Sequence, residues 1–187
     1  MELFYLQKVL AGDISGFSYF IDQYKDMAYS IAYRIVNNRE DAEEIVQDSF
    51  MKAYRALHSF RQDSKFSTWF YRIVVNQSLT KRARYKTEFN TIDLSKIPDV
   101  AVDQMESAYQ KMTHDDQKKY INLVLEELGS EDSLLLTLFY LNENSIEEIV
   151  EITSITRENI KMKLHRARKK IYVLLEQKLK SEIKNLL

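Results

Sequence analysis

Ser145-Ile146-Glu147-Glu148-Ile149-Val150-Glu151-Ile152-Thr153-Ser154-Ile155-Thr156-Arg157-Glu158-Asn159-Ile160-Lys161-Met162-Lys163-Leu164-His165-Arg166-Ala167-Arg168-Lys169-Lys170 decides the architecture of this chain. Ser145 with Glu148 forms a capping box, in which hydroxyl and carboxylate satisfy orphan amides reciprocally. A short helix follows, Thr153-Ser154-Ile155 turns, and Thr156 caps a longer helix that runs toward the C-terminus. A short helix, a tight turn and a capped longer helix make a helix-turn-helix. Ile146, Ile149, Val150, Ile155, Ile160 and Leu164 have the spacing to lock the pair together.

The outer face of the second helix carries Arg157, Asn159, Lys161, Lys163, His165, Arg166 and Arg168. Arg and Asn suit base edges in a major groove, while Lys and the later Arg suit phosphates. Charge is segregated. From Ile155 to Tyr172 only Glu158 opposes a run of Lys and Arg, whereas Leu141 to Ile152 carries acids alone: Glu143, Glu147, Glu148 and Glu151. That asymmetry aims the second helix, and not the first, at a polyanion. The plain alternative is a solvated basic helix in an ordinary bundle.

Composition agrees with an all-α fold. Among 187 residues Gly occurs 3 times and Pro once, too few breakers for a chain of many short strands. There is no Cys, so no disulfide or thiolate chemistry is available, and a reducing compartment is permitted. Met1-Glu2-Leu3-Phe4 lacks the order of a secretory signal, and no apolar run approaches the roughly 20 residues that span a bilayer. The expected location is cytoplasmic. The net charge of −1 makes local fields, and not the total, the guide to partners.

Working toward the N-terminus, periodicity predicts two small helical domains joined by a flexible linker. Residues 1–86 form the first, 87–116 the linker and 117–187 the second, which holds the helix-turn-helix. In the first, residues 3–11 suit a short helix and Ser15 suits an N-cap. Phe17, Phe20, Ile21, Tyr24, Met27, Ala28, Ile31 and Ile35 then make one apolar stripe. Asn37-Asn38 breaks the pattern, and Asn38 with Asp41 resembles a cap for a third helix, with Ile45, Val46, Ser49, Phe50, Ala53, Tyr54 and Leu57 inward. Ser67 or Thr68 suits the cap of a fourth helix, whose inner face is Trp69, Phe70, Ile73, Val74 and Gln77. The linker holds Pro98, with some helix expected near Gln104 to Met112. The second domain opens with a helix through Ile121, Val124, Leu125 and Leu128, and Gly129-Ser130 starts the next, with Leu134, Leu135, Leu138 and Phe139.

Two further constellations bear on function. From Phe60 to Lys86, Phe60, Phe66, Trp69, Phe70, Tyr71 and Tyr85 interleave with Arg61, Lys65, Arg72, Lys81, Arg82, Arg84 and Lys86. Stacking aromatics with cations along a backbone hold single-stranded nucleic acid, and Gln62, Asp63 and Ser64 have groups to read an extruded base. Trp69 and Phe70 fit a core better than a stacking platform; the loop residues fit a core poorly. The third helix offers Glu40, Asp41, Glu44, Gln47, Asp48 and Lys52 outward, an acidic face that would dock a basic helix or simply meet water.

In this order the three segments resemble the extracytoplasmic-function (ECF) sigma factors, the smallest two-domain members of the bacterial sigma superfamily. Asn38 to Phe50 (Asn-Arg-Glu-Asp-Ala-Glu-Glu-Ile-Val-Gln-Asp-Ser-Phe) looks like the family's D-A-E-D-x-V-Q-E-x-F core-binding helix. Phe60 to Ile73 looks like its melting and minus-ten segment, and Ser145 to Lys170 like its terminal helix-turn-helix. The resemblance covers residues 5–86 and 117–175 and implies roles. Asp41, Glu44, Gln47, Asp48 and Phe50 would dock on the beta-prime clamp helices of core RNA polymerase, with the beta flap a second contact. Phe60, Arg61, Gln62, Asp63, Ser64 and Lys65 would capture a flipped minus-ten base, and Trp69, Arg72, Asn76, Lys81, Arg82 and Arg84 would support the opening strand. Arg157, Asn159, Lys161, Lys163, Arg166 and Arg168 would engage minus-35 DNA. Many relatives are held by an anti-sigma factor, often membrane-anchored.

The chain departs from the family at the turn, where Thr153-Ser154 replaces Leu-Gly, and after the cap, where Arg157-Glu158 replaces small residues. A side-chain-bearing residue in the left-handed region costs about 1 kcal/mol, so the turn is either rebuilt or bears that cost. Glu158 within the reading face would repel phosphates or accept from cytosine. Other classes have less support. His58, His114 and His165 have no metal-ligand spacing, and no phosphate-binding, dinucleotide or nucleophile motif is present, so no catalytic residue, metal, cofactor or small-molecule substrate is expected. A helical repressor would also carry a helix-turn-helix, but would bind an operator alone, usually as a dimer. An adaptor bundle would leave the Lys161–Lys170 cations without purpose.

Overall fold

The structure, a computed structural model, describes residues 1–84, 122, 125 and 128–186, with side chains as far as Ile171. Most of the expected linker 87–116, its helix near Gln104 to Met112, and the helix positions Ile121 and Val124 lie outside the described residues. The described residues are helical, with no strand among them. By packing the chain divides into two units: residues 1–86 with 147–155, and residues 87–146 with 156–187.

In the first unit α1 spans Glu2–Leu10, a 3-10 turn Ile14–Gly16, α2 Phe17–Val36, α3 Arg39–Ala56, a second 3-10 turn Leu57–Ser59 and α4 Phe66–Arg82. The α2–α3 break arises as the Asn pair predicts. Asn37 ends α2 in the left-handed region at φ 52°, and Asn38 is extended and caps α3 by accepting from the Asp41 amide at 2.9 Å. Two other caps differ from expectation. Ahead of α2, Asp13 accepts from the Ser15 amide at 3.1 Å, so Ser15 sits inside the 3-10 turn and α2 begins at Phe17. The Ser15 hydroxyl bond is the main influence holding the Asp13 carboxyl below the usual range. At the other site, α4 begins at Phe66, with Lys65 at the N-cap and no side-chain cap. Neither Ser67 nor Thr68 caps it: the packing of Phe66 starts the helix early and turns Thr68 inward.

The core of the first unit is aromatic. Phe50 of α3 stacks on Phe70 of α4 with centroids 4.5 Å apart, and Phe20 of α2 meets Phe66 at 4.4 Å. Ala28, Ile31, Ala32, Ala42, Ala53, Val74 and Val75 close the rest, small residues letting the helices approach. Because α4 packs on both α2 and α3, its buried face is wider than the predicted stripe and includes Tyr71, Val75 and Ser78, while Ile73 and Trp69 are half-buried. Polar groups pin α4 on the α3 side: Gln77 donates to the Ser49 hydroxyl at 2.9 Å.

In the second unit α5 spans Ser130–Leu136 and runs on through a π-helical turn, Thr137–Leu141. The helix α6, Ile146–Thr153, groups but for its first residue with the first unit, and α7 of the second unit spans Arg157–Leu186. Leu125, Leu128, Leu134, Leu135, Leu136 and Leu138 are buried, as are Ile160, Leu164, Ala167 and Ile171 along one side of α7. That side follows the three-and-four spacing of an amphipathic helix.

Phe70→Ala should destabilise the first unit by about 3–5 kcal/mol, because a fully buried ring leaves a cavity that neighbouring rings cannot fill. Urea unfolding of the full chain measures this, with Leu79→Ala, 45% exposed on the same helix, as the near-neutral comparison.

Candidate functional site

On α3 the exposed positions Glu40, Glu43, Glu44, Gln47, Asp48, Met51, Lys52 and Arg55 recur at three-and-four spacing and form one stripe. Its first half is acidic, its second basic, with Met51 between them at 52% exposure. An open groove of about 560 Å³ borders the stripe, lined by Asp48, Met51, Arg55 and Gln77 among others. Two residues expected on this face are placed elsewhere. Phe50 is only 7% exposed and stacks on Phe70, so it shapes the helix from inside and offers no contact surface. Asp41 turns toward α4, where the Lys81 ammonium lies 3.0 Å from its carboxylate and 2.7 Å from that of Glu44. The hydrogen bond with Glu44, then that with Asp41, raises the Lys81 pKa above the ordinary lysine value. Lys81 therefore braces the acidic helix and is not part of an open cationic face.

The loop Phe60–Lys65 joins the turn after α3 to α4. The Phe60 ring is half-buried against Trp69 at 5.2 Å and Phe66 at 5.7 Å. Arg61 pairs with Asp63 at 3.2 Å, and Lys65 lies 2.7 Å from Glu148, a bond that raises the lysine's pKa. Gln62 holds φ at 58°, a conformation disfavoured for a residue with a side chain. Beside the loop is a cavity of about 190 Å³ whose apolar walls include Phe20, Phe60, Phe66 and Leu6. Its polar lining comes from Gln62, Ser64 and Lys65 of the loop and from Glu2 of α1. On α4, Arg72 and Asn76 are exposed one turn apart, with half-buried Trp69 one turn before them; Arg84 is exposed past the helix end and Arg82 half-buried.

On α7 the expected cationic face divides in two. Arg157, Asn159, Lys161 and Arg166 are exposed, together with Glu158 and Met162. Lys163 and Arg168 point toward the α5 side: Lys163 pairs with Glu131 at 2.7 Å, and Arg168 donates to the Tyr140 hydroxyl at 2.8 Å. Lys170 likewise pairs with Asp132. Helical geometry explains the split, since Lys163, Lys170 and Arg168 flank the buried Ile160–Leu164–Ala167–Ile171 side.

The turn before α7 bears its conformational cost. Ser154 sits at φ 60° where the family pattern has Gly. Thr153 offsets part of it, its hydroxyl donating to the Ile149 carbonyl at 2.7 Å and accepting from the Ile155 amide at 3.3 Å. Thr156 caps α7 as expected, through the Asn159 amide at 3.4 Å. Among the described residues no cluster of His, Asp and Glu could hold a metal, and no helix is long and apolar enough to cross a membrane.

Residues 20–87 match the model of sigma-70 region 2, and residues 118–171 match that of sigma-70 region 4. The ECF RNA polymerase sigma factor SigW of Bacillus subtilis is 30% identical over 172 residues, covering 87% of this chain and 90% of SigW. The chain belongs to the ECF sigma factors. It is thus a factor for promoter-specific initiation of transcription by RNA polymerase. Two solved structures share the sigma-factor fold. CnrH, in complex with the cytosolic domain of CnrY, superposes with TM-score 0.63 at 18% identity, over 93% of this chain and 96% of CnrH. The sigma factor RpoE of Bartonella quintana, in complex with the anti-sigma factor NepR, gives 0.58 at 21%, over 87% and 98%.

Set against this family, the sigma factor exposes Gln47, Asp48, Glu44, Arg61, Gln62, Asp63, Lys65, Arg72, Asn76, Arg84, Arg157, Asn159, Lys161 and Arg166. Phe50, Asp41, Lys81, Lys163 and Arg168 are buried or paired within their units. Sequence reasoning did not link Glu2, Leu3 and Leu6 to this region: they line the cavity beside the Phe60–Lys65 loop from α1, and no local pattern connects them to a loop so distant along the chain.

Ser154→Gly should raise stability by up to about 1 kcal/mol, because glycine adopts the observed φ without a side-chain clash. Urea unfolding of the full chain measures the gain.

Proposed function

We propose that this ECF sigma factor divides its work among three surfaces. The α3 stripe from Glu40 to Met51, centred on Glu44, Gln47 and Asp48, docks on core RNA polymerase at the beta-prime clamp helices, with the beta flap engaging the C-terminal domain. The loop Phe60–Lys65 captures an extruded minus-ten base, and Arg72, Asn76, Arg82 and Arg84 follow the opening strand, with Trp69 as its apolar support. Arg157, Asn159, Lys161 and Arg166 engage the minus-35 element. The domains are residues 1–86 (region 2), the linker 87–116 and residues 117–187 (region 4), and the protein works in the cytoplasm as a non-catalytic specificity factor.

One observation carries this reading: α3 exposes its acids while α7 exposes cations at Arg157, Lys161 and Arg166. Opposite fields on different helices suit a protein that must grip a basic protein surface and a polyanion at once. The beta-prime contact needs a helix face that is acidic with an apolar centre, which the Glu44–Met51 segment supplies. Arg166 and Lys161 suit phosphates, and Arg157 with Asn159, at the start of α7, suits base edges. An anti-sigma factor is a further partner. In its favour is the fold shared with RpoE, which was crystallised with an anti-sigma factor.

Run-off transcription with purified core polymerase on a promoter library tests the whole reading, and no start-site selection would overturn it. Within it, Asp48→Lys should weaken core binding about tenfold or more with helicity unchanged, since like charges then face each other. Fluorescence titration against core enzyme checks this. Arg166→Glu should lower promoter occupancy by the holoenzyme and reduce the slope of log affinity against log salt by about 1, the signature of one lost phosphate contact. Filter binding at several salt concentrations checks that.

A further inference from the structure

The cavity beside the Phe60–Lys65 loop is not built by the loop alone. Leu3 and Leu6 of α1 join Phe60 and Phe66 in its apolar lining, and Glu2 adds a carboxylate from α1. The loop contributes Gln62, Ser64 and the Lys65 ammonium. Apolar walls that include the Phe60 and Phe66 rings, with a few polar groups from two elements, suit a planar heterocycle. The Glu2 carboxylate is held in place: its Oε1 accepts from the hydroxyl of Tyr24 on α2. Burial, followed by this bond to Glu2, pushes the Tyr24 phenol well above its ordinary pKa, so it stays a donor at any physiological pH. An ionised carboxylate only accepts, and with two oxygens it has room for a second donor.

Bases differ in what they offer to such a group. Cytosine and adenine present an exocyclic amine, whereas thymine and guanine present a carbonyl at the corresponding position. A carboxylate accepts from the amine and repels the carbonyl; guanine still offers it N1–H and a 2-amine, so thymine, with two carbonyls and no amine, is the base it disfavours most. On cytosine the amine is followed by ring-nitrogen and carbonyl acceptors, which suit the donors of Gln62, Ser64 and Lys65. We propose that Glu2, held by Tyr24, is a specificity-determining residue of this cavity, selecting an extruded base that carries an exocyclic amine, cytosine above all, over thymine, which carries none. The inference rests on the reading of the Phe60–Lys65 loop as the base-capturing element.

The test uses holoenzyme reconstituted from the full chain and core polymerase, transcribing templates that carry each of the four bases at every minus-ten position. The wild type should favour cytosine over thymine by about tenfold at one position, and Glu2→Gln should reduce that preference to about threefold or less, because an amide can turn its NH2 toward a carbonyl. Tyr24→Phe, which keeps the ring and removes only the tether, should reduce it partially. It reads the same dependence if Glu2→Gln melts early. A wild type that nowhere favours cytosine over thymine, or an unchanged preference in both variants, overturns the proposal. Gln62→Ala and Ser64→Ala separate the two levels. If they alter base preference while Glu2→Gln and Tyr24→Phe do not, only the role of Glu2 fails; if none of the four alters it, the base-capture reading of the loop fails as well.

Discussion

The stacking of Phe50 on Phe70 is the contact from which the first unit's surfaces follow. It fixes the rotation of α3 and α4 about their own axes. With Phe50 inward, helical geometry sends Glu40, Glu43, Glu44, Gln47 and Asp48 outward as one stripe. With Phe70 inward, Arg72 and Asn76 must face out. Neighbouring rings at Phe20 and Phe66 carry the same constraint to α2 and to the start of α4, so the base of the loop is anchored in the core. A motif residue that looks like part of a docking face is thus the part that orients the face.

Much of the fold was legible because helices announce themselves locally. The stripes of α2 and α3, the Asn37-Asn38 break, the Asn38 and Thr156 caps and the turn before α7 are all set by residues within a few positions of one another. The misses involve tertiary packing. Ser67 and Thr68 look like caps, but the burial of Phe66 decided where α4 starts. The partners of charged residues were hidden for the same reason. Lys81, Lys163 and Arg168 look like the other cations in the sequence, and only the neighbouring helix reveals that Asp41 and Glu44, Glu131 and Tyr140 occupy them. A basic run on a helix overstates the cationic surface, because long side chains beside the apolar seam reach across it.

These internal pairs have a use of their own. Lys81 lies between Asp41 and Glu44, so those two carboxylates are partly neutralised, and the other exposed acids of the stripe are Glu40, Glu43 and Asp48. With Lys163 and Arg168 engaged in the same way, the exposed cations among the described side chains of α7 are Arg157, Lys161 and Arg166. Pairing inside each unit sharpens where charge is left to act.

Gln62 stands left-handed in a loop without glycine. A glycine there would let the main chain wander among many shapes; a residue with a side chain confines it, and the entropy of ordering is settled when the protein folds instead of when it meets a partner. A loop set in this way engages quickly and adapts poorly. Under the base-capturing role proposed for it, its repertoire of start sites should be narrow, and drift toward a new repertoire should proceed by exchanging side chains on a fixed frame, a route open to single-nucleotide changes in the gene.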